Sequence, residues 1–284
     1  MRVGIGYHSL ARMRFRLLGS GSSGNATLVE SGGVRILIDA GLGPRDLAER
    51  LESAGVDPAS IALVFLSHEH QDHARGAASF SNKWGVRLCG SRGTYAAAGL
   101  GAEDIAGYDV LEPGVARAVG PLTVLGIPVP HDAAGPFAFV VQGDGCSLAH
   151  ATDFGHVNRG VADGFRDCDA VLIESNYDPA MLRDGPYPWS VKERILGSRG
   201  HLSNDDVARY LARDLGQACR MVLLAHISQN NNHPELVRMT AETALRRRGR
   251  TEVRLELASA DGTGWMDVAA AGGASRGPQQ LRLW

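Results

Sequence analysis

Residues 61–67, IALVFLS, form an apolar run that ends directly on HEHQDH, residues 68–73. A continuous apolar segment of this length predicts a strand buried on both faces, and a buried strand is rigid enough to hold several donors at one point. Three of the chain's ten histidines fall within these six residues. His68 and His70, two apart on an extended segment, point the same way, while Asp72 and His73 follow where the chain turns into a helix. Imidazole nitrogen and carboxylate oxygen suit Zn, Mn or Fe. The pattern therefore predicts metal binding, with donors for two adjacent divalent ions, Zn or Mn being the candidates.

A binuclear site needs more donors than one loop supplies, and they are expected at the ends of other strands. His131 in VPHDAAGP, Asp153 in AHATDFG and His226 in LLAHIS each follow a strand-like run. Such runs recur along the chain: residues 14–20, 26–31 and 34–40 near the start, the last two joined by a short hairpin at Gly32-Gly33, then 86–90, 122–129, 137–142 and 146–153, and later 170–175, 220–226 and 253–257. Between them, helices are predicted over 44–51, 191–196, 204–215 and 234–247. This alternation gives an α/β chain of two sheet-plus-helix halves with no linker between them. A 284-residue chain that is 44% hydrophobic can bury such a core as one domain, placed at residues 13–268. Residues 1–12 read as a non-core N-terminal extension, with Met13 a candidate start, and residues 269–284 as a flexible C-terminal tail.

Other classes are disfavoured. The 29 basic and 31 acidic residues nearly cancel, so no global field recruits a polyanion or a membrane surface. Four scattered cysteines without a C-x-x-C pair fit reduced thiols in a cytoplasmic protein. No apolar run approaches a membrane span, and no organic cofactor motif stands out.

The donor motifs resemble those of the metallo-β-lactamase superfamily, at Asp39, at residues 68–73, and at His131, Asp153 and His226. That resemblance implies a four-layer αββα sandwich with the metals at one edge. It also implies that His68, His70 and His131 hold one metal and Asp72, His73 and His226 the other, with Asp153 bridging and Asp39 steadying the histidine loop from behind. The third position of the central motif is His70, not glutamate, which separates the chain from the di-iron redox branch. GHLSNDDVARYL, residues 200–211, is similar to the histidine segment of the phosphodiesterase branch that includes RNase Z; within it, Ser203 is expected to cap a helix with Asp206 at the capping-box position. Most similar is the YycJ/WalJ type of small bacterial exonuclease, through GSGSSGNA (19–26), ESNYDPAML (174–182), YPWSVKERI (187–195) and GHLSN.

The resemblance implies a nucleic acid partner, DNA, degraded 5′ to 3′. Catalysis would fall to Asp72 and to His201 oriented by Glu174, with Ser22, Asn25 and Asn176 contacting substrate. Tyr187 and Trp189 either stack on a base or pack beneath a loop, and the LRRRGR run (245–250) reads as cations at a helix end. A small-molecule ester, thioester or cyclic phosphodiester hydrolase, and a noncatalytic binding or regulatory protein, stay open as alternatives. So do the metal's identity and the oligomeric state.

Overall fold

The computed structural model describes residues 13–270. The N-terminal extension and most of the C-terminal tail expected from sequence lie outside the described residues, as does any test of the start at Met13. The first sheet contains β1 (Arg14–Gly19), β2 (Ala26–Ser31), β3 (Val34–Ile38), β4 (Ile61–Phe65), β5 (Leu88–Gly90) and β6 (Tyr108–Val110). The second contains β7 (Ala116–Val119), β8 (Leu122–Pro128), β9 (Phe137–Gly143), β10 (Cys146–Ala151), β11 (Ala170–Glu174), β12 (Met221–Ala225) and β13 (Arg254–Leu257). A final short strand, β14 (Met266–Asp267), returns to the first sheet and pairs antiparallel with β1. The order is β14-β1-β2-β3-β4-β5-β6 in one sheet and β13-β12-β11-β10-β9-β8-β7 in the other. Each sheet is antiparallel at one side and parallel at the other, from β3 to β6 and from β10 to β13.

Strand alternation divides the apolar residues among three seams. In β3, Ile36 and Ile38 enter the seam between the sheets, while Leu37 faces the outer helices. In β11, Leu172 enters the same middle seam, and Val171 and Ile173 face the opposite helix layer. One outer layer holds α1 (Pro44–Ser53), α2 (Gln71–Ala74), α3 (Ala77–Trp84) and α4 (Arg92–Ala97). The other holds α5 (Arg159–Phe165), α6 (Pro179–Asp184), α7 (Trp189–Leu196), α8 (Asn204–Arg213) and α9 (Pro234–Arg247). The architecture is thus the expected four-layer αββα sandwich.

Several elements differ from expectation. The partition into sequential halves is broken by β14, which covers the edge of β1 through Phe15↔Met266 and Arg14↔Asp267. Helix α7 begins at Trp189, two residues before the predicted start, because Pro188 presets the backbone for entry. The LRRRGR run ends α9, but Arg250 turns inward and donates to the carbonyls of Gly216 and Cys219. The hairpin at Gly32-Gly33 and the capping box of Ser203 with Asp206 are as expected.

Candidate metal centre

The carboxyl ends of β3 and β4 in the first sheet and of β10, β11 and β12 in the second, parallel within each sheet, meet at one edge of the sandwich. They deliver Asp39, His68, Asp153, Glu174 and His226, while His131 enters from the segment after β8. Only four non-glycine residues among those described have positive φ, and three belong to this edge: Asp39 at 64°, Asp153 at 61° and His226 at 51°. Left-handed backbone is unfavourable for such residues, so the surrounding fold imposes it to turn each strand sharply and aim its side chain.

The motif turn is clamped by backbone hydrogen bonds. Asn25 N–H donates to Asp72 O at 2.7 Å, and Ala40 N–H to His73 O at 2.8 Å. Gly41 sits so close that a Cβ there would lie 1.7 Å from Asp72 O, which leaves room for no other residue. Asp39, fully buried, accepts the Ser67 amide on Oδ1 at 2.7 Å, and the Ser67 hydroxyl at 2.8 Å and His73 Nδ1–H at 2.7 Å on Oδ2. That bond fixes the His73 tautomer and turns Nε2 toward the centre. His131 is held the same way, donating Nδ1–H to Gly200 O at 3.2 Å.

Donor atoms of His68, His70 and His131 lie within 4.8 Å of one another, as do those of His68, His73 and Asp153. His131 Nε2 approaches His70 Nδ1 at 3.3 Å. Asp153 reaches His73 Nε2 at 2.8 Å and His226 Nδ1 at 3.3 Å, while Asp72 lies 3.7 Å from His73 and 3.9 Å from His226. Asp153 therefore stands between the two sets that the motifs suggested. A third group, Asp153, Glu174, His201 and His226, shares the same edge.

These residues fit divalent cations. His68 Nε2 and both ring nitrogens of His226 are buried without a hydrogen-bond partner, donors that a cation would satisfy. Burial pushes His68 well below the usual histidine range, aided by neighbouring His73, and burial also lowers His131, so both rings present lone pairs. Burial opposes charge on Asp153 too, yet His226 and His73 overcome it and hold the carboxyl ionised. For His73 burial is again outweighed, by Asp153 and Asp39, which favour positive charge at this point. Neutral His68 and His131 beside ionised Asp153 are the protonation states a metal requires, and a cation at the centre would take the place of the proton that the carboxylates favour on His73.

His201 lies beside this centre. Its Nδ1–H donates to Glu174 Oε2 at 3.0 Å, and Glu174 Oε1 accepts the amides of Phe154 at 2.8 Å and Leu202 at 3.2 Å. Burial would lower the His201 pKa, but Glu174, then Asp153 and Asp72, raise it to about 9. The Glu174 carboxyl is lowered in turn, with His201 overcoming its burial.

A cleft of about 320 Å³ opens above the donors, with Asp72, Asp132, Arg75 and Arg194 along its walls. Ser22 lines this cleft and also a smaller pocket beside it, where Asn176 is found. Asn25, expected at the substrate, is instead buried beneath its loop: its carboxamide binds Gly21 N and O, Asp72 O and His73 Nε2. Sequence reasoning passed over Ser67 and Ser20. Ser20 Oγ accepts His226 N–H at 2.8 Å, so the glycine-rich loop holds the last donor in place. A small hydroxyl at a strand end beside a donor histidine was the available signal. Arg75, Arg194 and Asp132 carried none, since each lies on the cleft only through the fold.

The family model described as the metallo-beta-lactamase superfamily matches residues 19–198. The chain is 34% identical over 231 residues to exodeoxyribonuclease WalJ of Streptococcus pneumoniae, covering 80% of this chain and 86% of that one. It is 31% identical over 239 residues to exodeoxyribonuclease YycJ of Bacillus anthracis, covering 84% and 90%. Among solved structures, the metallo-beta-lactamase fold protein YhfI of Bacillus subtilis superposes with a TM-score of 0.70 at 16% identity, covering 90% of this chain and 99% of that one. Motif, architecture and donor geometry agree with these matches: the chain belongs to the metallo-beta-lactamase superfamily and is a metal-dependent hydrolase.

Proposed function

We propose that the protein is a binuclear metal-dependent phosphodiesterase that degrades DNA from an end, in the 5′ to 3′ direction. The observation that carries this reading is the Glu174–His201 pair at the rim of the donor clusters, facing a cleft with Arg75 and Arg194 on its walls. The exodeoxyribonuclease names of its WalJ and YycJ relatives support the polymer and its chemistry. His68, His70 and His131 would hold one cation and Asp72, His73 and His226 the other, with Asp153 between them.

Divalent cations held there, Zn or Mn, would supply hydroxide near neutral pH and polarise a phosphate oxygen. The chain's own residues do the rest. With a pKa of about 9, His201 carries a proton at neutral pH and can donate it to the departing oxygen. Glu174, ionised and held by two amides, keeps the ring oriented through that transfer. Arg75 and Arg194 offer guanidinium groups to phosphates flanking the scissile one. A cluster of hydroxyl or thiol nucleophiles is not required by this scheme.

The test uses protein stripped of metal and reloaded separately with Mn or Zn, incubated with end-labelled single- and double-stranded DNA and RNA. A variant altered at both Asp72 and His73 serves as control. Stepwise shortening of DNA from the 5′ end, absent in the control, is the expected result. Intact polymers with turnover of a small ester, thioester or cyclic phosphodiester would overturn it.

A further inference from the structure

We propose that the smaller pocket beside the donors is a nucleobase site, which takes one unpaired base of the nucleotide being processed and uses Tyr187 as its aromatic wall. This rests on the phosphodiesterase reading above and adds what that enzyme recognises. The pocket, about 130 Å³, lies between the loop 20–23, the segment 226–230, Asn176 and Tyr187. It shares Ser22 and His226 with the main cleft, so an occupant is continuous with a group at the donors.

Its chemistry differs from that of the cleft. The cleft is lined by carboxylates and guanidinium groups, whereas the pocket has no carboxylate, lysine or arginine in its lining. A phosphate would find no countercharge there. A neutral heterocycle would find what it needs, namely a ring face and in-plane hydrogen-bonding groups. Ser20 and Ser228 accept backbone amides of His226 and Asn231 on their oxygens, which leaves both hydroxyl protons free to donate. The Gln229 carboxamide, exposed, has no hydrogen-bond partner among the described residues, nor have the hydroxyls of Ser22 and Ser23. The Tyr187 hydroxyl accepts Asn230 Nδ2–H at 3.0 Å, so the ring is ordered before a base arrives.

The volume admits one ring system and not a base pair. The nucleotide must therefore be unpaired, at a single-stranded or opened end, which favours unstacked termini over the duplex interior. Recognition through a base also accounts for how a chain with a formal net charge of −2 can hold a polyanion without a basic track. Stacking on an aromatic ring tolerates any base, as degradation of arbitrary sequence requires.

The experiment compares kcat/KM for a single-stranded oligonucleotide with that for the same strand carrying one abasic residue, stepped through the positions nearest the end. In the wild type the intact strand should be favoured by about tenfold or more at one position. Tyr187→Phe should keep that ratio, and Tyr187→Ala should bring it close to one. Because both substrates meet the same preparation, a folding defect does not mimic the result. A wild-type ratio near one at every position overturns the base site, as does a Tyr187→Ala ratio equal to the wild type's, or equal rates on single strands and on cross-linked ends that cannot open. Hydrolysis of bis(4-nitrophenyl) phosphate without cleavage of any oligonucleotide overturns the nuclease reading itself, and the base site with it.

Discussion

Helices α7 and α8 are neighbours in the chain, joined by residues 197–203, and they are built in opposite ways. α8 opens on the reciprocal Ser203–Asp206 capping box and buries Val207, Tyr210 and Leu211. α7 opens on Pro188 without a side-chain cap, and the one residue it buries is Lys192, whose Nζ donates to Arg183 O at 2.7 Å. It exposes Trp189, Val191 and Leu196 by 61%, 39% and 48%. A helix that hides its lysine and shows its tryptophan gains little from the core. The two helices thus separate tasks: α8 holds the sandwich together, and α7 walls the cleft with Val191, Arg194 and Ile195. His201 lies between them, its N–H donating to Ile195 O at 3.1 Å, so the end of α7 and the histidine form one unit.

Substitutions across this boundary should separate activity from stability. The largest effect is expected for His201→Ala, which should lower kcat on a phosphodiester by roughly 10²–10⁴-fold and also lower the urea midpoint, because it leaves the buried Glu174 carboxylate without its charged partner. A variant that lost stability but kept its kcat would show that the histidine is a packing residue. In the wild type, kcat should decline as pH rises through about 9, because Glu174 keeps His201 protonated below that value and deprotonation removes the acid. A flat rate from pH 7 to 10 would break the assignment. Next, Leu211→Ala in α8 should cost about 2–5 kcal/mol of unfolding free energy, measured by urea titration, with kcat little changed.

Ser203→Ala removes the cap of α8 and should cost about 1 kcal/mol. The smallest effect belongs to α7: Leu196→Ser should stay within about 0.5 kcal/mol of the wild type, since the side chain already faces solvent. A drop as large as that of Leu211→Ala would mean that something covers this face, and the contrast between the helices would collapse.

Sequence reading went furthest where pattern and structure share a cause. Residues 26–31 match β2 in full because alternation and flanking turns both act locally. The strands at Tyr108–Val110, Ala116–Val119 and Met266–Asp267 were not legible, being too short or too exposed to carry a periodic signal. At the site, the donor residues were named from one compact motif and from strand ends, and their side chains do meet. Where the reading failed, partners distant in sequence decide the outcome. Asn25 is drawn under its loop by a carbonyl at Asp72, and Arg194 reaches the cleft by pairing with Asp132. The inverted character of α7 was hidden because its Trp, Val, Ile and Leu look like a buried face until the fold shows what they pack against.

The return of β14 to the first sheet has a consequence for how the protein is made. Ser20 N–H donates to Ala260 O, Thr263 N–H to Leu17 O and Val268 N–H to Met13 O, so the strand that leads into the glycine-rich loop is pinned by residues 260–268. On the ribosome, the first strands emerge long before those partners exist. The edge of β1 then waits, unpaired, until residues 260–268 have been made, and the loop that steadies His226 gains its backbone anchor at Ala260 only then.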